Sequence, residues 1–175
     1  MNIIRNLSRI NNILPVKYRK QLYKCLIEPN FSFADVIWGG CNKASANSLQ
    51  KAQNFAARSI LGKKKSDSAT EALEELNFLN LSQRRTIHAA VFAHKSLLHK
   101  HPKNINEDYN NQLSMANTRR AANMKLTIPL HRTSKYENSL FYRSILAWNA
   151  APTHIPTGHI VKHKTLYQLH MLNTV

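Results

Sequence analysis

The chain has 175 residues, with 25 Lys and Arg against nine Asp and Glu, and a formal net charge of +16. At roughly 100–200 residues per domain this length suits one domain, or one with an appendage, and 43% hydrophobic content supplies a core, which excludes a wholly disordered basic tail. The four glycines form neither a dinucleotide-binding nor a P-loop phosphate cradle, nine carboxylates are too few for a site of many convergent acids, and no apolar run approaches the ~18 residues of a membrane span.

Pro15 followed by Val-Lys-Tyr-Arg-Lys-Gln-Leu-Tyr-Lys-Cys-Leu-Ile-Glu predicts a helix that Pro29 should stop. On a 100° wheel Tyr18, Leu22, Cys25 and Leu26 form its core face, opposite Lys17, Lys20 and Lys24. The apolar stretch from Phe31 to Trp38, ended by Gly39-Gly40, is read as helix too. Leu49, Ala52, Ala56 and Ile60 line a further helix ending at Gly62, followed at once by Lys63, Lys64 and Lys65. That triplet suits both the helix C-terminal dipole and a phosphate clamp.

Ser68-Ala-Thr-Glu71 is a capping box opening a short helix, and Ser82 is expected to cap a longer one carrying Ile87, Ala90, Val91, His94 and Leu98. Arg84 and Arg85 fall in its first turn, where the dipole disfavours cations, so a compensating anion is expected beside them. Periodicity fades between Lys103 and His131, which reads as a long connection with a short extended piece at Leu126–Leu130. Ser134-Lys-Tyr-Glu137 is a second capping box. Tyr136, Leu140, Phe141, Ile145 and Trp148 then mark a helix that stops before Pro152, and Val161–Leu172 is a last amphipathic stretch.

Charge is spread evenly. Residues 1–87 carry 14 basic and six acidic side chains and residues 88–175 carry 11 and three, so each half is net +8. Such a chain repels itself unless a polyanion neutralises it, and nucleic acid is the first partner to consider, ahead of an anionic membrane surface. Cys25 and Cys41 are not needed as a disulfide in a chain with this apolar content, and a reducing, intracellular setting, nucleus or cytoplasm, is expected. Six basic and no acidic residues among the first 27 also match a mitochondrial presequence, but basic character continues down the whole chain.

All nine histidines lie beyond residue 87. The sets His94, His99, His101 and His154, His159, His163 lack the paired Cys or carboxylate spacing of zinc sites, so no metal and no cofactor is expected, and the histidines are read as solvated or phosphate-adjacent. Phe33-Ala-Asp35-Val36 looks like a polymerase aromatic-x-Asp-Asp turn, but Val36 stands where two-metal chemistry needs the second carboxylate. Tyr136, Tyr142, Phe141 and Trp148 beside Arg132 and Arg143 form a base-stacking platform or a core, and helical spacing favours the core.

Several segments, taken in order, resemble the region after the polymerase core of reverse transcriptases from non-LTR (LINE-type, jockey- and CR1-like) retrotransposons. They are Leu14-Pro15 with Leu22-Tyr23-Lys-Cys-Leu-Ile-Glu-Pro29; Phe33-Ala-Asp-Val-Ile-Trp38-Gly39; Leu49-Gln-Lys-Ala-Gln53-Asn54 with Arg58-Ser-Ile-Leu-Gly62; Thr118-Arg119 and Arg132-Thr133; and Ser139-Leu-Phe-Tyr-Arg143 leading to Trp148-Asn149-Ala-Ala-Pro152. Together they span roughly residues 13–155. The resemblance implies a mainly α fold: a helical thumb-like region at 1–101, an irregular linker with a possible short strand at 102–133, and a C-terminal helical extension at 134–175.

It also implies contact with template RNA or RNA–DNA hybrid beside a polymerase palm. Arg58, Lys63, Lys64, Lys65, Arg84, Arg85, Arg119, Arg120 and Arg132 are the expected phosphate contacts, with no catalytic residue and no membrane partner. Without catalytic aspartates the chain is not expected to polymerise alone, and it reads as a 5′-truncated element or gene-model fragment. A non-functional relic and a basic mitochondrial or ribosome-associated protein are the rival expectations.

Overall fold

A computed structural model of the chain describes residues 2–9, 13–99, 102–113 and 125–150. The chain is mainly helical, and among the described residues the only extended pairing is an isolated antiparallel bridge between Leu113 and Leu126. The backbone gathers into two compact units, one of residues 1–35 and 41–82, the other of residues 36–40 and 83–175. The helices are α1 (Asn2–Arg9), α2 (Val16–Leu22), α3 (Glu28–Ser32), α4 (Asp35–Trp38), α5 (Lys43–Leu61), α6 (Ala69–Glu75), α7 (Leu81–His99), α8 (Lys103–Asn111), α9 (Ser134–Glu137) and α10 (Leu140–Ala150).

In the first unit Pro29 does not stop the helix as expected. A π-helical turn, Tyr23–Ile27, joins α2 to α3, and its widened register is visible where the Glu28 amide bonds back to the Tyr23 carbonyl. Proline has no N–H and its ring crowds the carbonyl four residues back; a π turn placed just before it changes the register of the bonds there, so the chain stays helical to Ser32. The expected core face is corrected as well. Leu22 packs against the core as expected, but Tyr18, Cys25 and Leu26 are exposed, and the buried stripe is Arg19, Tyr23, Ile27 and Phe31. Tyr23 stacks on Phe78 with centroids 4.8 Å apart, and both join Ile27, Ala56, Ala57, Ile60, Leu73 and Leu76 in one core.

Helix α5 begins where Asn42 accepts the Ser45 amide at 2.8 Å and ends at Gly62, whose φ of +71° favours a residue without a Cβ. Ala56 and Ala57 are fully buried, so small side chains let the neighbouring elements approach its backbone. Its polar side chains serve the connection that follows α6. Gln53 Nε2 donates to the Leu79 carbonyl at 2.9 Å, and Gln50 Oε1 accepts the Leu81 amide at 3.0 Å. Helix α7 therefore starts one residue before the expected Ser82 cap, its first amide satisfied by a side chain 31 positions earlier.

The second unit has its own core of Ala93, Tyr109, Leu126, Ile145 and Trp148. Lys103–Asn111, read from the sequence as connection, is helical because Ile105 and Tyr109 face inward and Asn106 bonds the Ser96 carbonyl at 2.7 Å. Asn149 pairs with both backbone groups of Leu126, at 2.9 and 2.8 Å, as a strand neighbour would. Thr133, not Ser134, caps α9 by accepting the Tyr136 amide. The C-terminal stretch Val161–Leu172 and Pro152 lie outside the described residues.

Tyr109 is fully buried and its hydroxyl bonds Ser144. Burial pushes the phenol above its ordinary 10.0; the Ser144 bond works the other way and the Asp108 charge adds to the rise. Above about pH 10 the unfolded chain releases this proton while the folded chain keeps it, so stability falls as pH rises. Thermal unfolding between about pH 9 and pH 11 is expected to show that fall, and Tyr109→Phe is expected to flatten it; an unchanged slope would remove Tyr109 as its source.

Candidate nucleic-acid interface

The basic residues expected to meet phosphates are placed in two groups. In the first unit Arg58, Lys63, Lys64 and Lys65 surround the end of α5. The loop that follows is stitched by Asp67. Its carboxylate accepts the Lys64 amide at 2.7 Å and the Ser66 hydroxyl at 3.3 Å, and its carbonyl accepts from Arg58 Nη1 at 3.3 Å. Lys63 is paired with Glu75 at 2.7 Å, and that hydrogen bond raises its pKa above the ordinary 10.5, so it keeps its charge throughout the neutral range. Lys64 and Lys65 remain exposed.

In the second unit Arg85 of α7 departs from expectation. Arg85 is 8% exposed, with its guanidinium 4.8 Å from the centroid of the Trp38 ring. The neighbour that offsets this cation at a helix start is thus an aromatic face and not the anion expected from the sequence. Its Nε and Nη2 are buried without a hydrogen-bond partner, so Arg85 is withdrawn from the surface that a phosphate backbone would meet. Arg84 is half-buried and Arg132 is exposed. Arg119 and Arg120 lie outside the described residues.

Arg143 binds two carbonyls, Val36 at 2.7 Å and Asn138 at 3.0 Å, and so ties the Trp38-Gly39 segment to the turn before α10. Trp148 is 6% exposed and stacks on the fully buried His94, centroids 5.8 Å apart. That places His94 in the core, not at the solvent or beside phosphate. Tyr142 is buried as well, but Tyr136 is 38% exposed and His131 is exposed, both edge-on to Tyr142.

Asp35 is buried at the start of α4, and among the described residues no three His, Cys, Asp or Glu gather into a metal-holding group. His99 as a side chain, His101 and the His154, His159, His163 set fall outside that description. Both cysteines are free, and Cys25 is exposed where apolar surroundings were expected. Among the described residues no helix is long and apolar enough to cross a membrane. No protein-family model, curated protein or solved structure matches the chain.

Lys135 escapes a sequence-based site assignment because it sits inside a helix cap, and Tyr136, weighed there for a stacking platform, is assigned to the core by its helical spacing although it is exposed. The signal they leave is the density of ring and cation in His131-Arg132-Thr-Ser-Lys135-Tyr136.

Proposed function

We propose that the chain is a nucleic-acid-binding segment of a LINE-type reverse transcriptase, contacting RNA or RNA–DNA hybrid through phosphates, without catalytic residues of its own. The observation that carries this reading is the ordered loop after α5, which holds Lys64 and Lys65 exposed on a chain of net charge +16. The resembling segments between residues 13 and 155 add to it. Such contacts position a backbone and carry no sequence code. A nuclear or cytoplasmic location and a polymerase palm as neighbour belong to the same proposal.

Fluorescence anisotropy with single-stranded RNA at several salt concentrations tests it. Neutralising six phosphates on a single strand gives a slope of log K against log salt of about −4, and Lys64→Ala/Lys65→Ala is expected to make it shallower by about 1.4. A flat response overturns the reading. The rival, a relic that no longer works, draws on the exposed Tyr18, Leu26 and Phe33, and predicts aggregation and a non-cooperative unfolding transition.

A further inference from the structure

We infer that the segment Leu130–Tyr136 is a base-stacking patch for single-stranded nucleic acid, an inference that rests on the proposed function and adds a binding mode to it. Thr133 turns the chain into α9, and this turn holds Tyr136 and His131 beside one buried ring, that of Tyr142. The centroid distances are 4.7 Å for His131 and 6.1 Å for Tyr136, with interplanar angles of 65° and 63°. Both outer rings are therefore anchored edge-on and not face to face, and both remain exposed.

Two cations, Arg132 and Lys135, are exposed within the same seven residues, and no hydrogen bond or ion pair involves either side chain among the described residues. Leu130 stands fully in solvent at 101% exposure. A partner that suits this surface must bring negative charge together with flat apolar faces. Single-stranded nucleic acid has both, whereas the bases of a duplex or hybrid cover one another's faces and offer mainly phosphates. The basic loop after α5 and this patch thus have separate roles. The loop senses charge on any nucleic acid, and the patch distinguishes an unpaired strand.

The test compares binding of a single-stranded RNA of about a dozen nucleotides with binding of the RNA–DNA hybrid of the same sequence, for the parent chain and for His131→Leu/Tyr136→Leu. Leucine keeps apolar volume and removes the π face. The variant is expected to bind the single strand about tenfold more weakly, with hybrid affinity and the salt slope unchanged. Tyr136→Trp is expected to keep or raise single-strand affinity, and near-parental circular dichroism of both variants shows that the fold is retained.

If the parent binds both nucleic acids and the leucine variant loses neither, or loses both equally, the stacking patch is overturned and the proposed function stands. If the parent binds neither, the proposed function falls and this inference with it. Capture of an acidic protein in place of RNA at the same residues also counts against it.

Discussion

Replacing Gly40 with alanine is expected to cost about 3 kcal/mol, lowering the urea midpoint followed by tryptophan fluorescence. A Cβ at this position would overlap the Asn138 carbonyl oxygen and lie 3.0 Å from its carbonyl carbon. Those are backbone atoms, so no rotamer change relieves the clash. Moving Asn138 also disturbs the oxygen that accepts from Arg143 Nε, and with it the clamp that Arg143 makes on Val36. Charge-assisted hydrogen bonds contribute about 1.5–3 kcal/mol, so overpacking and the weakened clamp act in the same direction. Trp38 and Trp148 both belong to this unit, which makes their emission a direct reporter. An unchanged midpoint would mean that the Gly40 backbone does not approach Asn138 in solution.

Tyr23→Ala is expected to cost about 4 kcal/mol, a large share of the roughly 5–15 kcal/mol that holds a domain folded. Tyr23 has no exposed surface, stacks on Phe78, and sits at the centre of the first unit's core. Lys20 reinforces the same ring pair, with its ammonium 5.3 Å from the Phe78 centroid and 2.5 Å from the Leu76 carbonyl. Tyr18→Ala, on the same helical stretch but 52% exposed at its start, is expected to stay within about 0.5 kcal/mol of the parent. Comparing the two variants by circular dichroism in urea settles which face is inside. A larger loss for Tyr18→Ala than for Tyr23→Ala would restore the face expected from a simple wheel.

That wheel failed at Tyr18, which lies in regular helix and is exposed while Arg19 beside it is buried, and it failed again further on for a separate reason. It assumed 100° per residue through Tyr23–Ile27, where the chain follows the wider π register, and it treated Pro29 as a stop when the turn before it had already adjusted the bonding. Local signals fared better: Gly62 ends α5, Ser68 accepts the Glu71 amide at 3.3 Å, and Ile87 and Ala90 are buried on α7. Helix α8 was hidden because Lys-Asn-Ile-Asn-Glu-Asp-Tyr-Asn-Asn has poor intrinsic helicity, and its stability comes from tertiary contacts such as Asn106 on Ser96.

The candidate site divides in the same way. Exposure of Lys64 and Lys65 follows from their place in a polar loop, and it was legible. The engagement of Lys63 by Glu75, 12 residues on, was not, and neither was the ring of Trp38 under Arg85, because both depend on chain segments that only folding brings together. Gln53 and Asn149 fall within the segments that carry the resemblance. Their hydrogen bonds to the Leu79 and Leu126 backbones give the physical reason those residue types stand there.

Residues 36–40 belong to the second unit although both flanking stretches belong to the first. The polypeptide consequently passes from one unit to the other at three places, and no single scission separates them. A protease nick or a genetic breakpoint after Ser82 leaves Trp38 and Gly40 on the N-terminal fragment, while Arg85 and Asn138, which those residues meet, depart on the other. The N-terminal half keeps every residue of the first unit's core, whereas the C-terminal half loses the partners of Arg85 and Asn138. Transplanting the second unit therefore means carrying the five-residue excursion with it, whereas the first unit can be moved without it.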